Sequence, residues 1–375
     1  MIPVFKPSFG NEELEALKEP FKTGWIGLGP KTKEFEEKFA KYIGTSYAVG
    51  MNSCTAALHL ALKVMDIEGK EVITTPMTFI STNHAILYNG GVPVFCDIED
   101  DTLNIDSLKI ENLITDRTAA IIVVHYGGHA CDMDKVLEIA KKYDLKVIED
   151  CAHACGGEYK GKKLGSIGDI SCFSFHAVKN LATGEGGMVN TDDSEVAGHL
   201  RKLRWLGISA DTFSREEKDT KKYSWYYEVE DLGFKYHMHD ITAALGLVQL
   251  KKLDKMNKRR EEIVKRYNLG LKDLSWLEVP VVKDYAKPSY HNYVIKTEYR
   301  DRLNEYLKAK GISTGVHYVP NHHFKMYKKF KADTPTCDDV WKTLLTLPLF
   351  PDLSDTEADI IIREIRKFGK EELRA

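Results

Sequence analysis

Short apolar runs alternate with helical patterns over residues 45–190, and this alternation determines the predicted fold. Six of the runs are strand-like, and several are rich in β-branched residues: SYAVG, EVITT, VPVFCDI, AAIIVV, LKVIED and ISCFSF. Between them, residues 54–66, 81–89 and 133–143 carry apolar side chains near helical spacing. Such strand–helix alternation predicts an α/β fold in which a mostly parallel sheet is covered by helices on both faces.

The pattern changes in the second half of the chain. Residues 209–230 are polar and then aromatic with no clear period, which predicts a long loop, and loops of this length are usually functional or mobile. A helical pattern then runs from residue 238 to about 271, and its length predicts a helix that links two domains.

The C-terminal part beyond Pro280 has a different character. YHNYVIKT and STGVHYV predict strands, whereas RDRLNEYLKAKG and DTEADIIIREIRKFG predict helices. We therefore expect a large domain over residues 1–250, which includes an N-terminal segment 1–30. A linking helix and a small α+β domain would follow over residues 251–375.

Composition excludes several classes of protein. The chain is 43% hydrophobic and 29% charged, and it has no apolar run long enough to span a membrane. A net charge of −3 does not indicate binding to nucleic acid or to an anionic membrane surface. The seven cysteines are an odd number spread over a long chain, which favours reduced thiols. With no signal-peptide pattern, these features predict a cytoplasmic protein.

Candidate functional side chains follow directly after the predicted strands, where open α/β sheets bind their ligands. They comprise a carboxylate, two imidazoles, hydroxyls at the start of a helix, an aromatic ring and an amine. In chain order they are Ser53, Cys54, Thr55, Thr78, Phe79, His125, Asp150, His153 and Lys179. We expect these groups to converge on one edge of the sheet.

One cofactor, pyridoxal 5′-phosphate (PLP), would use all of these groups. A lysine binds its aldehyde as a Schiff base, and a carboxylate keeps its ring nitrogen protonated. The N–H groups and hydroxyls of a helix N-terminus suit its phosphate, and an aromatic side chain suits the ring face. Glycines such as Gly186 and Gly187 would let the backbone approach a flat molecule closely.

Longer blocks of the chain resemble the DegT/StrS family of PLP-dependent nucleotide-sugar aminotransferases, within the fold-type I (aspartate aminotransferase) superfamily. The resemblance covers nearly the whole chain, and its most specific part is VIEDCAHACGGEYKGKKLGSIGDISCFSFHAVKNLATGEGGMV at 147–189. Other matching blocks are TGWIGLGPKTKEFEEKFAKYIG, MNSCTAALHLAL, TTPMTFISTNHAI, DLGFKYHMHDITAALGLVQL, VHYVPNHH and TLPLFPDLSD. It implies a large PLP-binding domain and a small C-terminal domain.

Carried over position by position, the resemblance implies a role for each site residue. Lys179 would form the Schiff base, and Asp150 would pair with the pyridine nitrogen. His153 would lie near the ring hydroxyl, and Phe79 would stack on the ring. The implied phosphate ligands are Cys54, Thr55, Ala56 and Ser174.

The resemblance also implies a homodimer with shared active sites. In many members an asparagine reaches the phosphate of the neighbouring subunit, but the corresponding block here reads GFKYHM. Lys235 or His237 therefore occupies the place of that contact, which stays unassigned. The residues that would border the substrates are Trp25, His317, Tyr318, His322 and His323.

The implied reaction moves an amino group from an amino acid, L-glutamate in relatives, to a keto carbon of a nucleotide-linked 6-deoxy sugar. The carbon would be C4 or C3, the kinetics ping-pong, and the product a precursor of cell-surface polysaccharide such as lipopolysaccharide. Lys179 argues against the sugar dehydratases of this fold, in which a histidine replaces the lysine. A non-catalytic regulator built on the same fold stays open.

A zinc site is a further alternative, because the run CAHAC at 151–155 lies near His176 in the sequence. No second cysteine or histidine pair with matching spacing follows it, so we predict no metal.

Overall fold

The computed structural model describes residues 1–209, 227–330 and 332–373. Residues 210–226 of the predicted loop at 209–230 therefore lie outside the described residues. Seven strands form the central sheet: β1 (Tyr47–Met51), β2 (Glu71–Thr74), β3 (Val92–Phe95), β4 (Thr118–Val124), β5 (Lys146–Asp150), β8 (Ile170–Ser174) and β9 (Gly187–Thr191). The shorter strands are β6 (Glu158–Tyr159), β7 (Lys162–Lys163), β10 (Ala286–Lys287), β11 (Tyr293–Lys296) and β12 (Leu344–Leu347).

Helices separate most of the strands of the central sheet. In the N-terminal two thirds they are α1 (Asn11–Thr23), α2 (Pro30–Ile43), α3 (Cys54–Val64), α4 (Ile80–Tyr88), α5 (Ser107–Ile110), α6 (Met133–Tyr143) and α7 (Ser194–Leu203). In the described part of the C-terminal third, the α-helices are α8 (Asp240–Leu271), α9 (Arg300–Ala309), α10 (Pro335–Val340) and α11 (Asp355–Glu371).

The central sheet has the strand order β1-β9-β8-β5-β4-β2-β3. β9 runs antiparallel to β1 and β8, and every other adjacent pair is parallel. The carboxyl ends of six strands therefore point to one edge, as the sequence pattern predicts. The α/β fold class with a mostly parallel sheet is confirmed.

Both faces of the sheet are covered, because alternate side chains of each strand enter opposite cores. In β4, Ile121 and Val123 join a core that includes residues of α2, α6 and α8. Ala120 and Ile122 join the opposite core, which includes residues of α3, α4 and α7. Because neither face of this strand is exposed to solvent, neither face needs polar side chains, which explains the uninterrupted apolar run AAIIVV.

A separate apolar core lies in the C-terminal part of the chain, and all its buried members fall between Ile263 and Phe368. It packs around the antiparallel pair β11–β12, with α9 and α11 against it. Helix α8 contacts α1, α2 and α11, so one continuous helix serves both cores. The predicted boundary at residue 250 falls inside this helix, and the division into two domains stays a prediction.

The strand expected at STGVHYV is wrong. Only Gly315 bonds like a strand residue, exchanging backbone hydrogen bonds with Thr346 at 3.1 and 2.8 Å. Beyond it the backbone bonds elsewhere: the Tyr126 hydroxyl donates to the His317 carbonyl, and the Tyr318 N–H lies 3.4 Å from Met77 Sδ. The apolar pattern therefore reflects partial burial of this segment rather than a sheet.

Candidate active site

A cavity of about 450 Å³ opens at the carboxyl edge of the parallel strands. It is lined by residues from the ends of β4, β5 and β8, from the starts of α3 and α4, and from the C-terminal part. Of the residues predicted from the sequence, the cavity brings together Cys54, Thr55, Phe79, Asp150, His153, Ser174, Lys179, His317 and Tyr318. The predicted convergence on one edge is therefore observed for these residues, whereas the predicted His125 does not line the cavity.

Lys179 lies in the connection between β8 and β9. Backbone hydrogen bonds from Phe175 to Gly186, from Thr183 to Phe175 and from Lys179 to His176 close this connection into a tight loop at the strand ends. Within the described residues, the Lys179 amine has no hydrogen-bond or ion-pair partner. Burial lowers its pKa from 10.5 to about 8, although nearby Cys54 and Asp150 oppose the change. An amine with a lowered pKa is unprotonated in a larger fraction near neutral pH than an ordinary lysine.

Asp150 ends β5 and is 2% exposed. The Thr82 hydroxyl donates to its Oδ2 at 2.8 Å, and the Ala152 N–H donates to its Oδ1 at 3.0 Å. Burial raises its pKa, and these two hydrogen bonds partly offset that effect. Each carboxylate oxygen retains acceptor capacity, which suits it to a protonated ring nitrogen.

The N-terminus of α3 forms another wall of the cavity. Ser53 is the N-cap, and its hydroxyl accepts a hydrogen bond from the Ala56 N–H at 3.1 Å. Ser53, Cys54 and Thr55 line the cavity, so the positive end of the helix dipole faces it. Ser174, the last residue of β8, lines it as well.

Gly186 and Gly187 were expected to let the backbone approach the cofactor, but the structure shows a close backbone contact elsewhere. Gly186 and Gly187 are not among the described residues that line the cavity. A Cβ on Gly187 would lie 2.4 Å from the carbonyl carbon of Ser53 and 2.6 Å from the nitrogen of Cys54. The glycine therefore lets β9 approach the start of α3, which keeps the helix N-terminus close to the Lys179 loop.

Aromatic and imidazole rings form a stacked column beside Lys179. His153 stacks on His291 with ring centroids 4.4 Å apart, and Phe5 stacks on the other side of His291 at 5.1 Å. The Tyr318 hydroxyl lies 2.9 Å from His153 Nε2, while the Gly127 N–H donates to His153 Nδ1 at 3.3 Å. Burial lowers the pKa of both histidines, so both rings are neutral near pH 7.

Phe79 and His317 lie at the borders of the cavity. Phe79 is 58% exposed, and its ring centroid is 6.2 Å from that of Tyr318. His317 Nδ1 lies 2.8 Å from the Thr346 hydroxyl, and burial lowers the pKa of His317 to about 4.

Seven residues predicted for the site do not line this cavity: Trp25, Ala56, His125, Lys235, His237, His322 and His323. Lys235 Nζ lies 3.3 Å from the centroid of the Trp205 ring, and His237 packs against the same ring at 4.3 Å. A position outside the cavity of their own chain is compatible with a contact to a neighbouring subunit, which stays a prediction. His322 instead faces Asp338.

The structure adds lining residues that the sequence did not indicate, including Phe5, Thr82 and His291. Asn180 follows Lys179 directly, and its side-chain amide donates hydrogen bonds to Asn257 Oδ1 and to the Ser289 carbonyl, both at 2.8 Å. No periodic pattern marks these residues. Only the position of Asn180 next to Lys179 could have pointed to it.

The residues present fit PLP. The cavity offers a half-buried amine without a partner among the described residues, a buried carboxylate with free acceptor capacity, a helix N-terminus and an exposed aromatic ring. The close contact of Gly187 with Ser53 shows that the backbone is arranged to hold that helix end in place.

The cysteines of CAHAC do not form a zinc site with His176 among the described residues. Cys151 instead lies close to His125 and Glu149, and the possible ligand atoms of these three residues are within 4.8 Å of one another. His125 Nδ1 accepts a hydrogen bond from the Cys131 N–H, so the proton of the ring is on Nε2, which donates to Glu149 at 3.0 Å. With both nitrogens engaged, this histidine has no lone pair for a metal.

Comparison with known proteins identifies the family to which the chain is similar. Residues 7–366 match the model of the DegT/DnrJ/EryC1/StrS aminotransferase family. The spore coat polysaccharide biosynthesis protein SpsC of Bacillus subtilis (strain 168) is 44% identical over 381 residues, which covers 98% of this chain and 97% of SpsC. No described helix is long and apolar enough to cross a membrane.

Solved structures agree with this match. The PMP form of Spr1654 from Streptococcus pneumoniae superposes with a TM-score of 0.92 at 33% identity, covering 99% of this chain and 100% of that one. Helicobacter pylori PseC, an aminotransferase involved in the biosynthesis of pseudoaminic acid, gives a TM-score of 0.91 at 30% identity, covering 98% and 99%. Together with the cavity around Lys179, these matches establish that the chain belongs to the DegT/DnrJ/EryC1/StrS aminotransferase family.

Proposed function

We propose that the protein is a PLP-dependent aminotransferase that moves an amino group from L-glutamate to a keto carbon of a nucleotide-linked 6-deoxy sugar. C4 is the favoured position and C3 the alternative. The product would serve cell-surface polysaccharide biosynthesis in the cytoplasm. The observation that carries the proposal is the half-buried Lys179 amine, which lines the same cavity as Asp150 and the N-terminus of α3 and has no hydrogen-bonding partner among the described residues.

Each lining residue would have a definite task. When bound, PLP supplies an aldehyde that carries the amino group and a protonated ring that withdraws electrons from the reacting carbon. Asp150 would hold a proton on the ring nitrogen, and Thr82 would keep the carboxylate oriented. The N–H groups at the start of α3, together with Ser174, would bind the phosphate.

Lys179 would move the protons of the reaction. Its Nζ would accept the α-proton of the amino donor in the first half-reaction. In the second, it would give a proton to the sugar carbon that receives the nitrogen. A pKa of about 8 leaves part of the amine unprotonated at neutral pH, which a general base requires.

Borohydride trapping tests the assignment of Lys179. The protein is incubated with PLP, reduced and digested, and the modified peptide is identified by mass spectrometry. We expect the pyridoxyl group on Lys179 in the wild type and in Lys41→Ala, which alters an exposed lysine of α2. Lys179→Ala should lose both the label and amino transfer. Label on another lysine would refute the assignment, and no label at all would favour the non-catalytic regulator.

Isotope transfer tests the substrates. A panel of UDP-, dTDP- and GDP-linked keto sugars is supplied with ¹⁵N-labelled glutamate, and products are detected by mass spectrometry. We expect label in one nucleotide-linked amino sugar. Transfer from aspartate or glutamine but not from glutamate would contradict the donor, and transfer only to free sugars would contradict the nucleotide linkage.

Subunit mixing tests the shared site of the proposed homodimer. Lys179→Ala and the double variant Lys235→Ala/His237→Ala should each be inactive alone. A mixed dimer of the two would contain one site with every native residue, so mixing should restore activity. An active double variant, or no recovery in verified mixed dimers, would exclude a contact across the interface.

A further inference from the structure

Two adjacent histidines converge on one carboxylate away from the active-site cavity. His322 and His323 lie in a short turn after Pro320, and Asp338 lies in α10. Nε2 of His322 is 2.8 Å, and Nε2 of His323 is 2.6 Å, from the same oxygen, Oδ1 of Asp338. None of the three lines the cavity, and the expected role of His322 at the sugar stays a prediction.

The state of the ring nitrogens leaves these histidines free to act as ligands. No described residue donates a hydrogen bond to Nδ1 of either ring, so each ring can carry its proton there and present the Nε2 lone pair. The buried cluster of His125 and Glu149 is the useful contrast, because the Cys131 N–H occupies Nδ1 of His125 and forces the proton onto Nε2.

Charge and access also suit a cation. The carboxylate of Asp338 brings a negative charge to the two imidazoles. The side chains of His323 and Asp338 are 34% and 41% exposed, so the cluster is open to ions in solution. The Thr334 hydroxyl lies 3.4 Å from His322 Nε2 and adds a nearby oxygen.

The spacing is close to that of a metal site. The three ligand atoms lie within 4.8 Å of one another. Ligands that share a tetrahedral zinc ion at about 2.0–2.2 Å stand ~3.4 Å apart. Binding therefore requires the imidazoles and the carboxylate to separate by less than about 1 Å, which small side-chain rotations provide.

We propose that His322, His323 and Asp338 bind one first-row divalent cation of the zinc class, with water in the remaining position. Two imidazoles and one carboxylate are ligands that Zn²⁺ and Co²⁺ accept readily. The ion would tie the turn that follows Tyr318 to α10 and so fix one wall of the cavity. This inference does not depend on the proposed reaction.

Cobalt titration of the PLP-loaded, tag-free protein tests the site. Tetrahedral Co²⁺ absorbs visible light, and Zn²⁺ should displace it. Three variants each remove one ligand: His322→Ala, His323→Ala and Asp338→Asn. The matched control is His199→Ala, which breaks a surface pair of similar exposure, His199 with Asp231 at 2.8 Å, that contains a single imidazole.

We expect one equivalent of Co²⁺ in the wild type and in His199→Ala, and affinity at least ~10-fold weaker in each ligand variant. Zn²⁺ should also raise the Tm of the wild type but not that of folded His323→Ala, because binding stabilises the native state by mass action. The proposal is overturned if the wild type shows no saturable binding. It is overturned equally if Asp338→Asn binds as tightly as the wild type, or if the control loses binding as the ligand variants do.

Discussion

Replacing Lys179 by methionine should stabilise the protein in the absence of PLP while abolishing amino transfer. Methionine matches the length of the lysine stem and removes the charge, so little cavity is created. Burial lowers the pKa of Lys179 from 10.5 to about 8. Since each unit of pKa corresponds to ~1.4 kcal/mol, the folded state gives up about 3 kcal/mol to hold this ammonium charge below pH 8. Functional sites commonly carry such a cost.

The sign of the pH dependence follows from proton binding. Below about pH 8, Lys179 is protonated in both the folded and the unfolded state, and the full penalty acts on the wild type. Between about pH 8 and 10.5 the unfolded state binds more protons, so this group makes the wild type more stable as pH rises. The advantage of Lys179→Met should therefore be about 3 kcal/mol at pH 6 and shrink steadily above pH 8.

Urea denaturation of cofactor-free protein, followed by fluorescence at pH 6 to 10 and fixed protein concentration, measures this difference. Lys41→Met, at an exposed position of α2, controls for the loss of a lysine and should show no comparable trend. A Lys179→Met variant that is less stable than the wild type at pH 6 would refute the reasoning. An advantage that stays constant up to pH 10 would refute it as well.

Two further substitutions test the walls of the cavity. Thr82→Val removes the hydroxyl that donates a hydrogen bond to Asp150 at 2.8 Å. Because hydrogen bonds to charged groups are worth about 1.5–3 kcal/mol, PLP affinity measured by fluorescence titration should fall about 10-fold. Unchanged affinity would contradict the role of Thr82. Gly187→Ala would place Cβ 2.4 Å from the Ser53 carbonyl carbon, so we expect a loss of more than ~2 kcal/mol in urea denaturation. Gly198→Ala, with nothing within 4 Å of its Cβ in the middle of α7, should instead gain up to about 1 kcal/mol, and equal effects at the two glycines would exclude the steric explanation.

The elements that the sequence predicts well are those with local start and stop signals. The pattern at 133–143 coincides with α6, because the Asp132 side chain caps its first turn and Asp144 ends it in a left-handed conformation. The alternation of strands and helices predicts the order of the sheet only as mostly parallel, because pairing partners are set by tertiary packing. The reversed direction of β9 carries no mark in the sequence pattern.

Residues 11–43 had no predicted element, yet they form α1 and α2. The reason is visible at the start of α2, where the N-cap is Gly29, which has no capping side chain. Asp240 supplies the missing cap from α8, accepting hydrogen bonds from the N–H groups of Gly29, Lys31 and Thr32 at 2.9–3.0 Å. A cap that comes from more than two hundred residues away cannot be seen in a local pattern.

The same distinction separates the site residues that were predicted from those that were missed. Lys179, Asp150 and the start of α3 stand at strand ends within recognisable blocks, so position and resemblance indicate them together. Phe5 and His291 reach the cavity from the N-terminal segment and the C-terminal part. Their contribution depends on how the C-terminal part sits against the sheet, which no local pattern encodes.

The balance of charge in the cavity bears on the proposed dimer. Among the described residues that line it, Lys179 alone is a lysine or arginine, whereas Asp150 and Glu185 are acidic. A phosphate dianion and a nucleotide diphosphate need more positive potential than this, and the α3 N-terminus contributes only about half a charge. A predicted source is Lys235, which lies outside the cavity of its own chain and over the Trp205 ring. If Lys235 of a neighbouring subunit delivers that charge, PLP affinity must fall when the protein is diluted until it dissociates into monomers. A monomer that binds PLP as tightly as the dimer would refute this electrostatic role of the second subunit.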